Sequence, residues 1–149
     1  MKCSNQETTV KNVRPAEPTS EQELPLYASQ PAAGFPAPGD DLVEDPLDLN
    51  DLMIDNPTAT FFVRVSGDSM EGAKIFDGDV LVVDRSLEPA AGRIVVAAVF
   101  GELVVKRLAN VRGQLMLVSE NDSYNPIAIE GADDCYVWGV VTGSARVLS

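Results

Sequence analysis

Two residues in the sequence are candidates for catalytic chemistry, a serine in a glycine turn and a lysine in an apolar run. Ser69 follows the turn formers Gly67 and Asp68, and the chain contains no histidine that could activate its hydroxyl. Lysine is the usual substitute base for a serine nucleophile. From residue 41 onward the only lysines are Lys74, in a polar loop, and Lys106.

Lys106 lies in the run GELVVKRLA, whose strict alternation puts it on one strand face with Val104 and Leu108. Arg107 shares the other face with apolar residues, so periodicity does not decide which of the two cations points inward. A lysine in water is protonated at pH 7, whereas burial in apolar surroundings favours the neutral amine that a general base requires. The sequence therefore permits Lys106 to act as a general base if its face is the buried one.

The elements that must position these residues are short strands. From residue 59 onward, runs rich in Val, Ile and aromatic residues alternate with Gly, Asp, Asn and Pro turn formers. The runs are TFFVRVS, DVLVVDR, GRIVVAAVF, ELVVKRL, QLMLVSE and CYVWGVV. This pattern predicts a mostly β fold, a compact barrel-like or sandwich domain over residues 41–149. Near its start, PLDLNDLMIDNP predicts one or two helical turns that begin near Asp48.

The N-terminal part of the chain has a different composition. Seven of the ten prolines fall between Pro15 and Pro46, with few large apolar residues among them. Such a segment cannot form a packed core, so we predict that residues 1–40 are a flexible, Pro-rich arm.

Charge and residue types exclude several functions. Eleven Lys and Arg against 23 Asp and Glu give a net charge of −12, so direct sequence-specific DNA binding is not expected. The absence of His excludes a Ser-His-Asp triad and, with only two separated Cys, a zinc site. The acidic clusters Asp40-Asp41, Asp77/Asp79 and Asp133-Asp134 show no ligand spacing, so neither a metal nor another cofactor is expected.

The compartment follows from cysteine usage and hydropathy. The two cysteines, Cys3 and Cys135, lie in dissimilar surroundings, which fits a reducing cytoplasm. No apolar run approaches the ~20 residues of a membrane span, and the N-terminus lacks the apolar segment of a secretory signal. We therefore predict a cytoplasmic protein without membrane association.

Several motifs, in order, resemble those of a known family. SGDSM is followed by IFDGDVLVVD, GRIVVAAVFGELVVKRL, SENDSYNPI and VWGVV. From about Pro25 to the end, the chain resembles the LexA-type self-cleaving serine peptidases, and among them the UmuD-type SOS mutagenesis proteins. The resemblance implies a Ser-Lys dyad in which Ser69 is the nucleophile and Lys106 the general base. It also implies that the backbone N–H groups of Asp68 and Ser69 are the oxyanion donors.

The resemblance gives the arm a function as well. Ala33-Gly34, in PAAGFP, matches the bond that these proteins cut in themselves, and its small residues let an extended backbone approach a crowded dyad. A homodimer is implied, with cleavage stimulated by filaments of RecA on single-stranded DNA. The shortened product then supports a Y-family, UmuC-like translesion DNA polymerase. The first 20 or so residues extend beyond the usual arm and receive no function.

Other functions compete with this one. In the main alternative the protein is a non-catalytic polymerase-binding module with a vestigial dyad. A signal-peptidase-like enzyme would share the Ser-Lys chemistry but requires a membrane anchor. A LexA-type repressor requires a helix-turn-helix head, for which the 33 residues before the cut are too few. The C-terminal run CYVWGVVTGSARVL is a candidate for part of the homodimer interface.

Overall fold

A computed structural model describes residues 7–16, 23–24, 47–121, 123–129 and 134–148 of the chain. The chain divides into two compact units, one formed by Met1–Ala16 with Thr58–Ser149 and the other by Glu17–Pro57. Short strands make up most of the described residues, as the alternating apolar runs predict.

The strands are β1 (Thr9–Pro15), β2 (Glu23–Leu24), β3 (Leu47–Asp48), β4 (Thr60–Ser66), β5 (Val80–Asp84), β6 (Ile94–Val99), β7 (Glu102–Val111), β8 (Gln114–Val118), β9 (Ile127–Ala128) and β10 (Cys135–Ala145). One α-helix, α1, covers Leu49–Met53, and single 3₁₀ turns cover Pro57–Ala59 and Glu71–Ala73.

Six antiparallel strands of the larger unit close into a β-barrel. Their order is β1-β4-β5-β10-β6-β7, and β1 closes the circle by pairing with β7 at Thr9 and Val104. β8 and β9 extend the sheet beyond β7. The prediction of a mostly β, barrel-like domain is therefore confirmed.

Two buried apolar clusters lie on opposite faces of the strands. The first contains Val63, Val65, Met70, Ile75, Leu81, Val83, Val96 and Val105. The second contains Val95, Ala97, Val99, Val104, Leu108, Leu117, Cys135 and Val140. Because successive side chains of a strand point to opposite faces, β6 and β7 contribute to both clusters. β7 is thus buried on both faces, which is why its sequence pattern alone does not show which face is inward.

β1 lies inside the segment that sequence analysis assigned to the flexible arm. Its residues pair with Phe61–Ser66 of β4, with a bulge between Val10 and Asn12. The Ala16 N–H continues this contact by donating to the Thr60 carbonyl at 2.9 Å. For these residues the structure differs from the expectation, because β1 satisfies the open edges of β4 and β7. The β-branched residues of TVKNVRP favour a strand, but the proline-rich surroundings obscure that local signal.

The smaller unit contains a short two-stranded sheet and α1. β2 and β3 pair through Leu24 with Leu47 and Glu23 with Asp48. The Asp48 carboxylate then accepts the N–H of Asn50 at 2.9 Å and caps α1, as predicted from the sequence. Within the described ranges, no helix has the length and apolar composition needed to cross a membrane.

Candidate active site

A tight turn after β4 fixes Ser69. Gly67 has a φ of 109°, a conformation that favours glycine, and its N–H donates to a carboxylate oxygen of Asp77 at 3.0 Å. The next side chain after Ser69, that of Met70, is fully buried in the first apolar cluster. Ser69 itself has no solvent-exposed surface. The turn is therefore held from both sides, and the hydroxyl of Ser69 points into the protein.

Lys106 is the buried cation of β7. It is fully buried on the face that it shares with Val104 and Leu108, whereas the Arg107 side chain is 35% exposed and pairs with Glu120. Lys106 Nζ donates to Ser119 Oγ at 2.6 Å and also to the Glu7 carboxylate. Of the two cations that periodicity could not distinguish, Lys106 is therefore the buried one and Arg107 is not. Lys74 is an exposed loop residue, as its polar surroundings indicated.

Tyr124 connects the surroundings of the two candidate residues. Its ring centroid is 5.3 Å from Lys106 Nζ, and its hydroxyl donates to the Asp68 carboxylate at 3.1 Å. Burial raises the pKa of Tyr124 to about 12, and the hydrogen bond to Asp68 and the charge of Glu7 act in the same direction. The phenol is therefore protonated at neutral pH, where it serves as a donor and does not compete with Lys106 as a base.

The two residues that precede β1 reach both candidate side chains. The Thr8 N–H donates to Ser69 Oγ at 2.8 Å, and the adjacent Glu7 binds Lys106. Because neighbouring residues of one extended segment contact them, Ser69 and Lys106 face the same slot, which lies between β4 and β7. The backbone approach is close enough that a Cβ at position 67 would collide with the carbonyl oxygen of Glu7.

The structure therefore places Ser69 and Lys106 on two neighbouring residues of one segment, Thr8 and Glu7, and their action as a dyad remains a prediction. Asp68 and Ser69 lie in the turn at this slot, and the role of their N–H groups as oxyanion donors remains a prediction. Ala33 and Gly34, the predicted cleavage site, lie outside the described residues.

Sequence reasoning missed Ser119, Tyr124, Glu7 and Thr8. A signal for Ser119 was present. The pairing of Arg107 with Val118 across the β7–β8 hairpin places Ser119 opposite Lys106, and the Arg112-Gly113 turn fixes that register. No comparable signal exists for Glu7 and Thr8, which contact partners 99 and 61 residues away in sequence.

The acidic residues near the Ser69 turn have structural partners. Asp77 holds the Gly67 N–H, and Asp79 accepts hydrogen bonds from Arg146 Nε at 2.6 Å and from the Phe76 N–H at 2.9 Å. The Arg146 hydrogen bond lowers the pKa of Asp79 below its ordinary value of 3.8. Among the described residues, no group of three or more His, Cys, Asp and Glu is placed to hold a metal ion.

Comparison with known proteins identifies one family and several relatives. The Peptidase S24-like family matches residues 25–142. Protein ImpA of Salmonella typhimurium is 43% identical over 132 residues, which cover 87% of this chain and 89% of ImpA. Protein MucA of Escherichia coli is 43% identical over 122 residues, 81% of this chain and 83% of MucA. The LexA repressor of Hahella chejuensis is 36% identical over 115 residues, 77% of this chain and 56% of the repressor.

The chain belongs to the Peptidase S24-like family. Its similarity to ImpA, MucA and LexA confirms the resemblance to UmuD-type, LexA-like proteins that the motifs indicated, and it supports an SOS mutagenesis protein with a peptidase domain.

Proposed function

We propose that this protein is a self-cleaving serine endopeptidase of SOS mutagenesis, with Ser69 as nucleophile, Lys106 as general base and Ala33-Gly34 as the bond cut. The observation that carries the proposal is the complete burial of Lys106 beside the slot that contains Ser69. Burial of a lysine is costly, so its place beside a slot that contains a buried serine points to a function.

The chemistry would follow the general course of a serine peptidase. Neutral Lys106 Nζ takes the proton of Ser69 Oγ as the oxygen attacks the Ala33 carbonyl carbon. The N–H groups of Asp68 and Ser69 stabilise the oxyanion. Lys106 then returns the proton to the Gly34 nitrogen, and the peptide bond breaks to leave an acyl-enzyme. A water molecule activated by Lys106 releases residues 1–33 and regenerates Ser69.

Ser119 and Tyr124 are positioning residues in this mechanism. Ser119 Oγ accepts one N–H of Lys106, which fixes the direction of the Nζ lone pair once the amine is neutral. Tyr124 is itself held by its bond to Asp68, and its ring covers the amine. Both residues act on Lys106 and touch neither the substrate nor the reacting bond.

The partners that we propose are a second copy of the chain, a filament of RecA on single-stranded DNA and a UmuC-like Y-family DNA polymerase. They follow from the family resemblance, and the net charge of −12 argues for protein partners over direct contact with DNA. β10 is hydrogen-bonded to β5 and β6 on both sides. A dimer contact in this run would therefore use exposed side chains and not strand pairing: Tyr136 is 57%, Val147 93% and Leu148 84% exposed.

A non-catalytic polymerase-binding module is the second candidate. The observation in its favour is that Lys106 Nζ and Ser69 Oγ already form hydrogen bonds with Glu7 and Thr8. Such contacts would be permanent in a domain that no longer cleaves peptide bonds. In that function the barrel would contribute only a docking surface.

Incubation with RecA filaments distinguishes the two functions. The purified full-length chain and its Ser69→Ala variant are followed by gel electrophoresis with and without RecA, single-stranded DNA and ATP. The proposal predicts that wild type shortens and that the filament accelerates the reaction, while Ser69→Ala stays whole. A wild-type chain that stays whole with the filament present would favour the binding module.

A further inference from the structure

The segment from Glu7 to Val10 fills the slot that a substrate backbone would have to enter. Thr9 and Val10 pair with Ser66 and Val65 of β4 on one side. On the other side Thr9 pairs with Val104, and the Thr8 carbonyl accepts the Val105 N–H at 2.9 Å. These are the main-chain hydrogen bonds by which an extended peptide is bound between two strand edges.

This occupant leaves no space for a second chain. Thr8 and Ser69 are both fully buried, and only a glycine at position 67 allows the Glu7 carbonyl to lie where it does. The backbone of Ala33 and Gly34 must come within bonding distance of the same Ser69 Oγ. The two segments therefore exclude one another at this site.

The polar contacts of the occupant oppose catalysis as well. The Glu7 carboxylate pairs with Lys106 and so binds the amine that would have to accept the proton of Ser69. The Thr8 N–H donates to Ser69 Oγ and uses a lone pair of the nucleophile. The other polar groups that face Lys106 Nζ, the Ser119 hydroxyl and the protonated Tyr124 phenol, carry no charge at neutral pH.

We propose that Glu7–Val10 is a built-in competitor that occupies the slot and slows self-cleavage of the intact chain, which proceeds only when β1 withdraws. The inference rests on the proposed function, since it assigns a regulator to the same Ser69 and Lys106. Two features fit a removable occupant. The Glu7 side chain is 36% exposed, so water can reach its contact with Lys106, and β1 lies outside residues 25–142, which the family matches. Cleavage at Ala33-Gly34 would also sever β1 from the rest of the barrel.

Three full-length chains test the proposal: wild type, Glu7→Gln and the control Glu88→Gln, whose glutamate is exposed. Gln keeps an acceptor but not the charge, so the ion pair with Lys106 is lost while the half-exposed side chain disturbs folding little. We expect Glu7→Gln to cleave itself about tenfold faster than wild type, the factor that corresponds to one charge-assisted hydrogen bond. Glu88→Gln should cleave at the wild-type rate.

Amide hydrogen exchange gives a readout that does not depend on cleavage. The Thr8 N–H donates to Ser69 Oγ, and the Val105 N–H donates to the Thr8 carbonyl. Both hydrogen bonds break when the segment leaves the slot, so the exchange of these amides over seconds to minutes reports how often it leaves. We expect both amides to exchange about tenfold faster in Glu7→Gln than in wild type or Glu88→Gln.

The combined outcomes separate the two proposals. If all three chains cleave at one rate and exchange alike, the competitor is refuted while the peptidase stands. If none of the chains cleaves but the two amides exchange faster in Glu7→Gln, the competitor proposal is supported and the peptidase proposal is refuted. If none cleaves and exchange is the same in all three, both proposals fail.

Discussion

Two ion pairs of this protein have opposite patterns of burial. In the pair of Lys106 with Glu7, the cation is buried, at 1% exposure, and the carboxylate is 36% exposed. In the pair of Arg146 with Asp79, the carboxylate is buried, at 1% exposure, and the cation is 43% exposed. A guanidinium keeps its proton at every pH at which proteins fold, whereas a buried amine can lose its own. We therefore assign the Arg146 pair to stability alone, whereas the Lys106 pair involves the residue that we propose as the base.

The two cations have similar kinds of partner. Arg146 makes two hydrogen bonds to Asp79, and its guanidinium lies 4.4 Å from the centre of the Phe76 ring. Lys106 is bound by one carboxylate and by the hydroxyl of Ser119, and the centre of the Tyr124 ring lies 5.3 Å from its Nζ. Burial therefore distinguishes them: Lys106 is enclosed by a segment that also contacts the buried Ser69, whereas Arg146 is 43% exposed.

The largest effect should come from removing the proposed nucleophile or the proposed base. Lys106→Ala and Ser69→Ala should each slow self-cleavage by more than about 10³-fold, because nucleophile and base act as a unit. Arg146→Ala is the matched control and should still cleave near neutral pH. Rates are measured by gel or mass spectrometry, and circular dichroism checks that each variant is folded. Full activity of Lys106→Ala would show that the base is misassigned.

The pH dependence of cleavage should separate the two cations further. A serine nucleophile needs a base without its proton, so the proposed mechanism predicts that the cleavage rate rises with pH. The phenol of Tyr124, whose pKa is raised to about 12, keeps its proton over the assay range and does not contribute to the rise. Cleavage rates are measured from pH 6 to pH 10. A flat profile would exclude a lysine base.

Ser119 should have a smaller effect, exerted through Lys106. Ser119→Ala removes the acceptor that orients Nζ and should slow cleavage about tenfold, the equivalent of one hydrogen bond. Ser119→Thr keeps the hydroxyl and should restore most of the rate, and the pH profile of Ser119→Ala should shift relative to wild type. Ser123→Ala, at an exposed serine of the following loop, is the control. An unchanged rate and profile in Ser119→Ala would remove this residue from the mechanism.

The smallest effect concerns the structural pair and appears in stability alone. Because Arg146 lowers the pKa of Asp79 below 3.8, its contribution is present above that pH and is lost as pH falls through the lowered value. Asp79→Asn should reduce the free energy of unfolding by about 1–2 kcal/mol at pH 7, and this difference should shrink toward pH 2. Urea unfolding at the two pH values measures it. A constant difference would mean that the charge of Asp79 is not involved.

Most strands of the barrel could be predicted from the sequence, but the burial of Lys106 and its contact with Glu7 could not. β4 to β8 and β10 were predictable because their short apolar and aromatic runs are local signals. The burial of Lys106 was not predictable, since Val105 and Lys106 are both fully buried and the outcome depends on which elements cover each face of β7. Ser119 could have been found from the register of the β7–β8 hairpin. The contact of Glu7 with Lys106 spans 99 residues and has no local signature.

We propose that Ser69 and Lys106 cut the chain's own Ala33-Gly34 bond. Intact-mass spectrometry is the most direct test of this cut. Purified full-length protein is incubated at mildly alkaline pH, with Ser69→Ala treated in parallel. We predict that wild type yields two fragments with the masses of residues 1–33 and 34–149, while Ser69→Ala keeps its full mass. Fragments that map to another bond, or the same two fragments from Ser69→Ala, would contradict the claim.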